Sequence, residues 1–305
     1  MKKIKIIRII LLTAILIGIV NIDALTTLTS NYVYYNNKNS NGTYNNVKES
    51  IDELYTLSKN LNNSVTFKIG DYVKMSPSKT SFTIPKTLSN CTANQTINTS
   101  ELNLWRVINI KSNGNVEMVS ENTSSVDICF KGKKGYQNFV GLLNYIANQY
   151  ENKKYTVGSR SMGYNGQTEY ITDDSKIVLN PAPWTVHTSN NTNEKVGGGD
   201  ILYTTDTNLV TSALGTLKAY KAGTTTYSPY WLASRYYHYS DSTYWHYIGR
   251  LIDANGNITF SNSIYFYQNA FSEVTIANSF RPILTLKSVV YANGSGTKTS
   301  PYVLE

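Results

Sequence analysis

Three histidines, His187, His238 and His246, are the first places to look for metal or acid–base chemistry. None stands in a His-Glu-x-x-His string, and no Cys-x-x-Cys occurs, so the spacings that gather zinc ligands on one helical face or tight turn are missing. Nucleophilic serine chemistry wants Gly-x-Ser-x-Gly, and the nearest string, Gly158-Ser-Arg-Ser-Met-Gly163, has the wrong spacing for a strand-to-helix elbow. Asp253-Ala-Asn255-Gly256-Asn257 carries calcium-type oxygens, but its Gly is fourth rather than sixth and no Glu closes the loop, so it reads as a turn. Gly197, Gly198 and Gly199 open no helix and lead to no Lys-Ser/Thr pair, which makes them a flexible loop and not a phosphate cradle. Paired carboxylates for glycoside hydrolysis have no fixed spacing, and Glu169, Asp173, Asp174, Asp200 and Glu273 carry nothing that singles out a pair. No catalytic residue, metal or cofactor is expected.

One segment differs in kind. Tyr236, Tyr237, His238, Tyr239, Ser240, Asp241, Ser242, Thr243, Tyr244, Trp245, His246 and Tyr247 hold five tyrosines in twelve residues, where the overall usage of 25 in 305 gives about one. Tyrosine offers broad, rigid contact area at low entropic cost, and Ser, Asn and Asp offer adaptable hydrogen bonds, which is paratope composition. The same alphabet returns in Ser261, Asn262, Ser263, Ile264, Tyr265, Phe266, Tyr267, Gln268 and Asn269. Read as a strand, this run places Ser261, Ser263, Tyr265, Tyr267 and Asn269 on one face. The two segments form the expected ligand face, with Trp231, Arg235, Trp245 and Arg281 as scaffold; the alternative is an ordinary Tyr-rich exposed sheet.

Ordered elements must stand behind such a face. Val47, Ile51, Leu54, Leu57 and Leu61 recur at spacings of three and four, which predicts an amphipathic helix over Asn46–Asn60, preceded by a linker from Thr26. Phe67–Val73 and Leu102–Ile108 read as strands, the second turning through Asn113-Gly114 into Val116–Val119 as a hairpin. Phe139, Leu142, Leu143, Ile146 and Tyr150 share one helical face. A second helix is expected over Thr207–Tyr220, with Leu209, Ala213, Leu214, Leu217 and Tyr220 inward. Ile248–Phe260 is another hairpin, around Asn255-Gly256, and Phe280–Leu286 is a closing strand. This order makes one α+β domain over 67–288, after a linker and helix at 26–66 and before a tail at 289–305.

Compartment is set at the start of the chain. Lys2, Lys3, Lys5 and Arg8 precede an apolar run from Ile9 to Val20, the pattern of a secretion signal over 1–25, either cleaved or kept as an anchor. The body is therefore expected outside the cytoplasm, with membrane contact only through that segment. Cys91 and Cys129 then either close a disulfide around about 37 residues, worth roughly 2–4 kcal/mol, or remain buried thiols. The net charge of +8 falls to +5 without the first 24 residues and is spread thinly. Only Lys131, Lys133 and Lys134 cluster, read as a solvated loop, so no nucleic-acid footprint is present. With 41% hydrophobic and 16% charged residues, the chain can bury a core.

Phe67–Met75, Glu101–Ile108, Tyr230–Arg235, Phe280–Leu286 and Gly294–Leu304 together resemble exported Firmicutes proteins with a C-type lectin-like fold. The fold so implied has two helices, small antiparallel sheets and a loop-rich C-terminal half. It is shared by formylglycine-generating enzymes and by the variable proteins of diversity-generating retroelements, in which adenine-directed mutagenesis rewrites surface residues. Of the residues in 236–247 only Trp245, and in 261–269 only Gln268, lie outside the set such mutagenesis produces, which makes those two invariant framework. Formylglycine-generating enzymes use a late cysteine pair, and no cysteine follows Cys129; the Glu-Pro-Asn and Trp-Asn-Asp strings of calcium lectins are also missing. The resemblance implies a cell-surface or secreted binder of an unidentified extracellular protein or glycan, acting without catalysis. A structural adhesin, or an exported hydrolase with dispersed carboxylates, are the alternatives.

Overall fold

The computed structural model describes residue 52 and residues 65–163, 170–176, 205–241, 244–268, 270–288, 290 and 292–304; at 174, 205, 236–241 and 244–245 it describes the backbone alone. The chain divides into two units, Met1–Asn63 and Ser64–Glu305. Of the first, only Asp52 is described, in a helix as expected for Asn46–Asn60. The expected signal, linker and triple glycine, with His187, Glu169 and Asp200, lie outside the described residues. No helix among the described residues is long and apolar enough to cross a membrane.

The second unit is α+β and mostly sheet. In chain order it runs β1 (Tyr72–Lys74), β2 (Ser81–Ile84), α1 (Lys86–Ser89), β3 (Gln95–Asn98), β4 (Leu104–Ile110), β5 (Val116–Ser120), β6 (Ile128–Lys131), α2 (Gly132–Asn148) and β7 (Thr156–Ser161). After α3 (Thr205–Leu214) come β8 (Tyr230–Asp241), β9 (Tyr244–Ile252), β10 (Ile258–Gln268), β11 (Phe271–Glu273), β12 (Thr275–Asn278), β13 (Pro282–Leu286), β14 (Ala292–Asn293) and β15 (Tyr302–Leu304).

A seven-stranded sheet, ordered β14-β15-β1-β4-β5-β13-β7, forms the middle layer. Period-two alternation divides its side chains. Trp105, Val107, Val116, Met118, Leu284 and Leu286 join one core with Phe139, Leu143 and Ile146 of α2. Ile108, Val119 and Ile283 join a second core with Val210 of α3, Tyr230 and Leu232. The tail expected at 289–305 is part of this sheet, because Tyr302 and Val303 pair in parallel with Val73 and Lys74.

Local corrections have local causes. The helix expected over Thr207–Tyr220 ends at Leu214, where Gly215 takes a φ of 73° and its N–H donates to the Thr211 carbonyl. Val210 is its fully buried residue, whereas Tyr220, expected inward, is half-exposed and stacks on Tyr227. The lysine cluster is no loop: Lys131 ends β6, and Lys133 and Lys134 lie in the first turn of α2. Cys91 and Cys129 are bonded, with Cα atoms 6.3 Å apart. Gln95 holds the same spot, accepting from the Cys129 N–H at 2.6 Å and donating to its carbonyl at 3.3 Å.

Candidate functional site

Strands β11-β10-β9-β8 form a separate antiparallel sheet that collects both Tyr-rich segments. Its base is fixed by polar groups driven into the core. Trp231 is buried and donates its indole N–H to the Ile128 carbonyl at 2.7 Å. Arg235 is buried and donates to the carbonyls of Tyr136 and Gln137 at 2.9 and 2.7 Å, with its guanidinium 4.9 Å from the Tyr136 ring centroid. Arg281 donates to the Ser120 carbonyl at 2.9 Å and to the Tyr230 hydroxyl at 3.3 Å. Burial raises the Tyr230 pKa despite that cation, so the phenol stays neutral. Trp231, Arg235 and Arg281, expected as scaffold, all have buried side chains. Close packing also explains Gly249, where a Cβ would stand 2.8 Å from the Phe139 ring.

The hairpin register sets the rows. Tyr237 stands opposite Tyr247, His238 opposite His246, Tyr239 opposite Trp245, and Asp241 opposite Tyr244, with an irregularity between Tyr239 and Asp241. On the other side of β9, Tyr265 pairs Tyr247, Phe266 pairs His246 and Tyr267 pairs Trp245. Ser242 and Asn269 lie outside the described residues.

Two expected ligand contacts are instead internal. Tyr247 is fully buried, its ring 4.8 Å from Tyr136 of α2, because β9 alternates and Tyr247 and Gly249 face the helix. Ser261 is also buried and donates to the Asn262 carbonyl. Nor do Ser261, Ser263, Tyr265 and Tyr267 share one face. Register shifts between Phe260 and Ser263, and between Ser263 and Tyr265, turn the strand. Ser263 consequently bonds His246 Nδ1, while Tyr265 stacks on Tyr247 at 5.7 Å.

The outcome is an aromatic ladder running from core to edge. Tyr136, Tyr247, Tyr265 and Phe271 follow one another at centroid separations of 4.8, 5.7 and 5.7 Å, and Tyr267 meets Phe271 edge-on at 5.0 Å. Phe271, on the edge strand, is 64% exposed. Burial, then the Glu273 carboxylate, raise the Tyr265 pKa. On the opposite face the half-buried His246 ring stacks on Phe266 at 5.4 Å. Sequence reading passed over Phe271 as a site residue, two positions beyond the run Ser261–Asn269.

A second polar cluster lies between the large sheet and α3. Arg160 bridges two buried carboxylates, pairing with Asp206 and, at 3.3 Å, with Glu117. Glu117 also takes Lys111 at 3.0 Å and accepts from Asn109 at 2.8 Å. Burial would raise the Glu117 pKa, but Asn109, Lys111 and Arg160 outweigh it and hold the carboxyl below its ordinary value. Burial does prevail at Asp206, whose pKa is raised although Arg160 opposes it. An acid pair whose shared space is filled by a guanidinium is an ion-pair network, with no room for substrate between the carboxylates. No three His, Cys, Asp or Glu side chains gather as metal ligands among the described residues. No family model, curated protein or solved structure matches the chain.

Proposed function

We propose that this chain is an exported, surface-displayed or secreted binding protein whose ligand face is the four-stranded sheet, and that it acts by contact and not by catalysis. The observation that carries the reading is the gathering of both Tyr-rich segments on one sheet, rigidly seated through Trp231 and Arg235, with a stacked aromatic ladder ending at exposed Phe271. Pre-ordered rings lose little entropy on binding, which suits them as anchors. The ligand face accordingly differs from the one the sequence suggests, without Tyr247 and Ser261 and with Phe271 added. Its ligand would be an extracellular protein or glycan, and no nucleic acid is implied.

The body is proposed to be of the C-type lectin-like class, supported by the α+β layering and by the fact that the segments carrying the resemblance supply β1, β4, the start of β8, and β13, all with buried positions. Diversification by a retroelement is the refinement. Deep sequencing of codons 230–285 and the flanking DNA in a single population tests it. Substitutions confined to adenine-bearing codons such as those of Tyr236, His238, Ser242 and Tyr265, with Trp231, Trp245, Gln268 and Arg281 fixed, are expected. A uniform segment without a neighbouring near-copy removes diversification and leaves a binder of fixed specificity.

A further inference from the structure

We infer that Tyr220 and Tyr227 form an oxidative cross-linking site, at which a one-electron oxidant of the peroxidase class joins the two rings into dityrosine and staples the turn that leads into β8. The backbone prepares the pair. The Ser228 N–H donates to the Ala219 carbonyl at 3.1 Å, and the Lys221 N–H to the Thr226 carbonyl at 2.9 Å. Tyr220 and Tyr227 therefore face each other at the non-hydrogen-bonded position between those two rungs. There opposed side chains come closest, with Cα atoms ~4.5 Å apart. The hairpin is itself tied down, because the Thr123 N–H donates to the Tyr220 carbonyl at 2.9 Å, the Ala222 N–H donates to the Thr123 carbonyl at 3.0 Å, and Lys221 pairs with Asp127 at 2.8 Å.

The pose of the rings suits radical coupling. Their centroids lie 4.4 Å apart with the planes 9° from parallel, and each residue is 39% exposed, so an oxidant that stays in solution can reach them. The two hydroxyls are hydrogen-bonded, which raises the Tyr220 pKa and keeps both oxygens on one side of the stack. Each phenol gives one electron and one proton to the oxidant. The unpaired electrons, delocalised onto the carbons beside the hydroxyls, then pair in a new C–C bond, and each of those carbons passes its hydrogen to its own ring's oxygen as aromaticity returns. Two electrons and two protons leave in all, enough to reduce one hydrogen peroxide to two waters. The new bond grows from the ring faces, so parallel rings can form it and edge-on rings cannot. Tyr136 with Tyr247 and Tyr145 with Tyr170 meet edge-on, and the stack of Tyr247 on Tyr265 has one ring fully buried.

The cross-link needs neither a ligand nor the four-stranded sheet, so failure of either reading leaves the other standing. The test exposes dilute full-length chain in detergent to a photogenerated ruthenium(III) oxidant, which works equally in urea, and then digests the isolated monomer with trypsin for mass spectrometry. The expected product is Ala219–Lys221 joined to Ala222–Arg235 at the summed mass less two hydrogens, with fragmentation placing the bond on Tyr220 and Tyr227. Tyr220→Phe and Tyr227→Phe, which keep both rings of the stack, each abolish it. Chain unfolded in urea gives it in about tenfold lower yield or less, because the register that sets the rings face to face is gone. Folded wild-type monomer that lacks this product under exposure that couples free tyrosine, or an equal yield from the unfolded chain, overturns the proposal; folding is read from circular dichroism and the intact disulfide.

Discussion

Arg160 shows how one side chain can set two carboxylates against each other. Asp206 has a raised pKa, so the folded chain holds its proton more readily than the unfolded chain; its contribution to stability grows as pH falls and is lost as pH rises through the folded value. Glu117 has a lowered pKa, so its contribution is present above 4.5 and is lost as pH falls through the folded value. The stability lead of wild type over Asp206→Asn should therefore widen on acidification toward pH 4, while its lead over Glu117→Gln should shrink below pH 4.5. Urea midpoints measured across pH 3.5–7 check both signs; parallel curves would mean that the two groups do not titrate separately on folding. Residues of this kind are illegible in sequence. Glu117, Arg160 and Asp206 come from β5, β7 and α3, and no spacing announces that two strands and a helix will bring them together. Trp231 and Arg281 are legible, since large or charged residues within apolar runs must find buried partners.

At the scale of single elements, the turns read best. Gly114 and Gly256 take φ of 82° and 84°, which is what Asn-Gly between β-rich runs demands, and both hairpins close where expected. The start of α2 is harder, because its cause is tertiary. Gly132 has a φ of 63°, and a Cβ there would lie 2.2 Å from a carboxylate oxygen of Glu273, which sits over a helix N-terminus that carries Lys133 and Lys134 and no side-chain cap. That anion offsets the positive end of the helix dipole. Gly132→Ala should cost clearly more than Gly215→Ala, which has a similar φ of 73° but open space and a penalty of about 1 kcal/mol. Trimming the carboxylate in a Glu273→Ser, Gly132→Ala double variant should recover part of the difference. Equal denaturation midpoints for the two single variants would sink the steric account. The face of β10 was misread for the opposite reason: strict alternation is the only rule a sequence offers, and two register shifts break it.

For the molecule as a whole, long-range links decide what holds. The Cys91–Cys129 bridge, 38 residues apart in sequence, ties the β2–β3 ribbon region to β6, and with it to α2. Removing it with a Cys91→Ser, Cys129→Ser pair should lower unfolding free energy by about 4 kcal/mol on the chain-entropy account. Denaturation of the variant with and without reductant checks this; no change on reducing wild type would mean the bridge constrains little. Composition and apolar period make the α+β class and most core strands legible. The joining of the tail to the sheet is not, because Tyr302-Val303-Leu304 is too short to declare itself a strand and its partner β1 is equally short. That pairing also sets a clock. β1 and β15 are neighbours in the sheet but separated by roughly 230 residues of chain. At synthesis rates of about 5–20 residues per second, β1 waits some 10 to 50 s for its strand partner. During that interval it offers an open edge beside β4, and the order in which the ribosome delivers the chain, more than the strength of any contact, decides when this sheet can be completed.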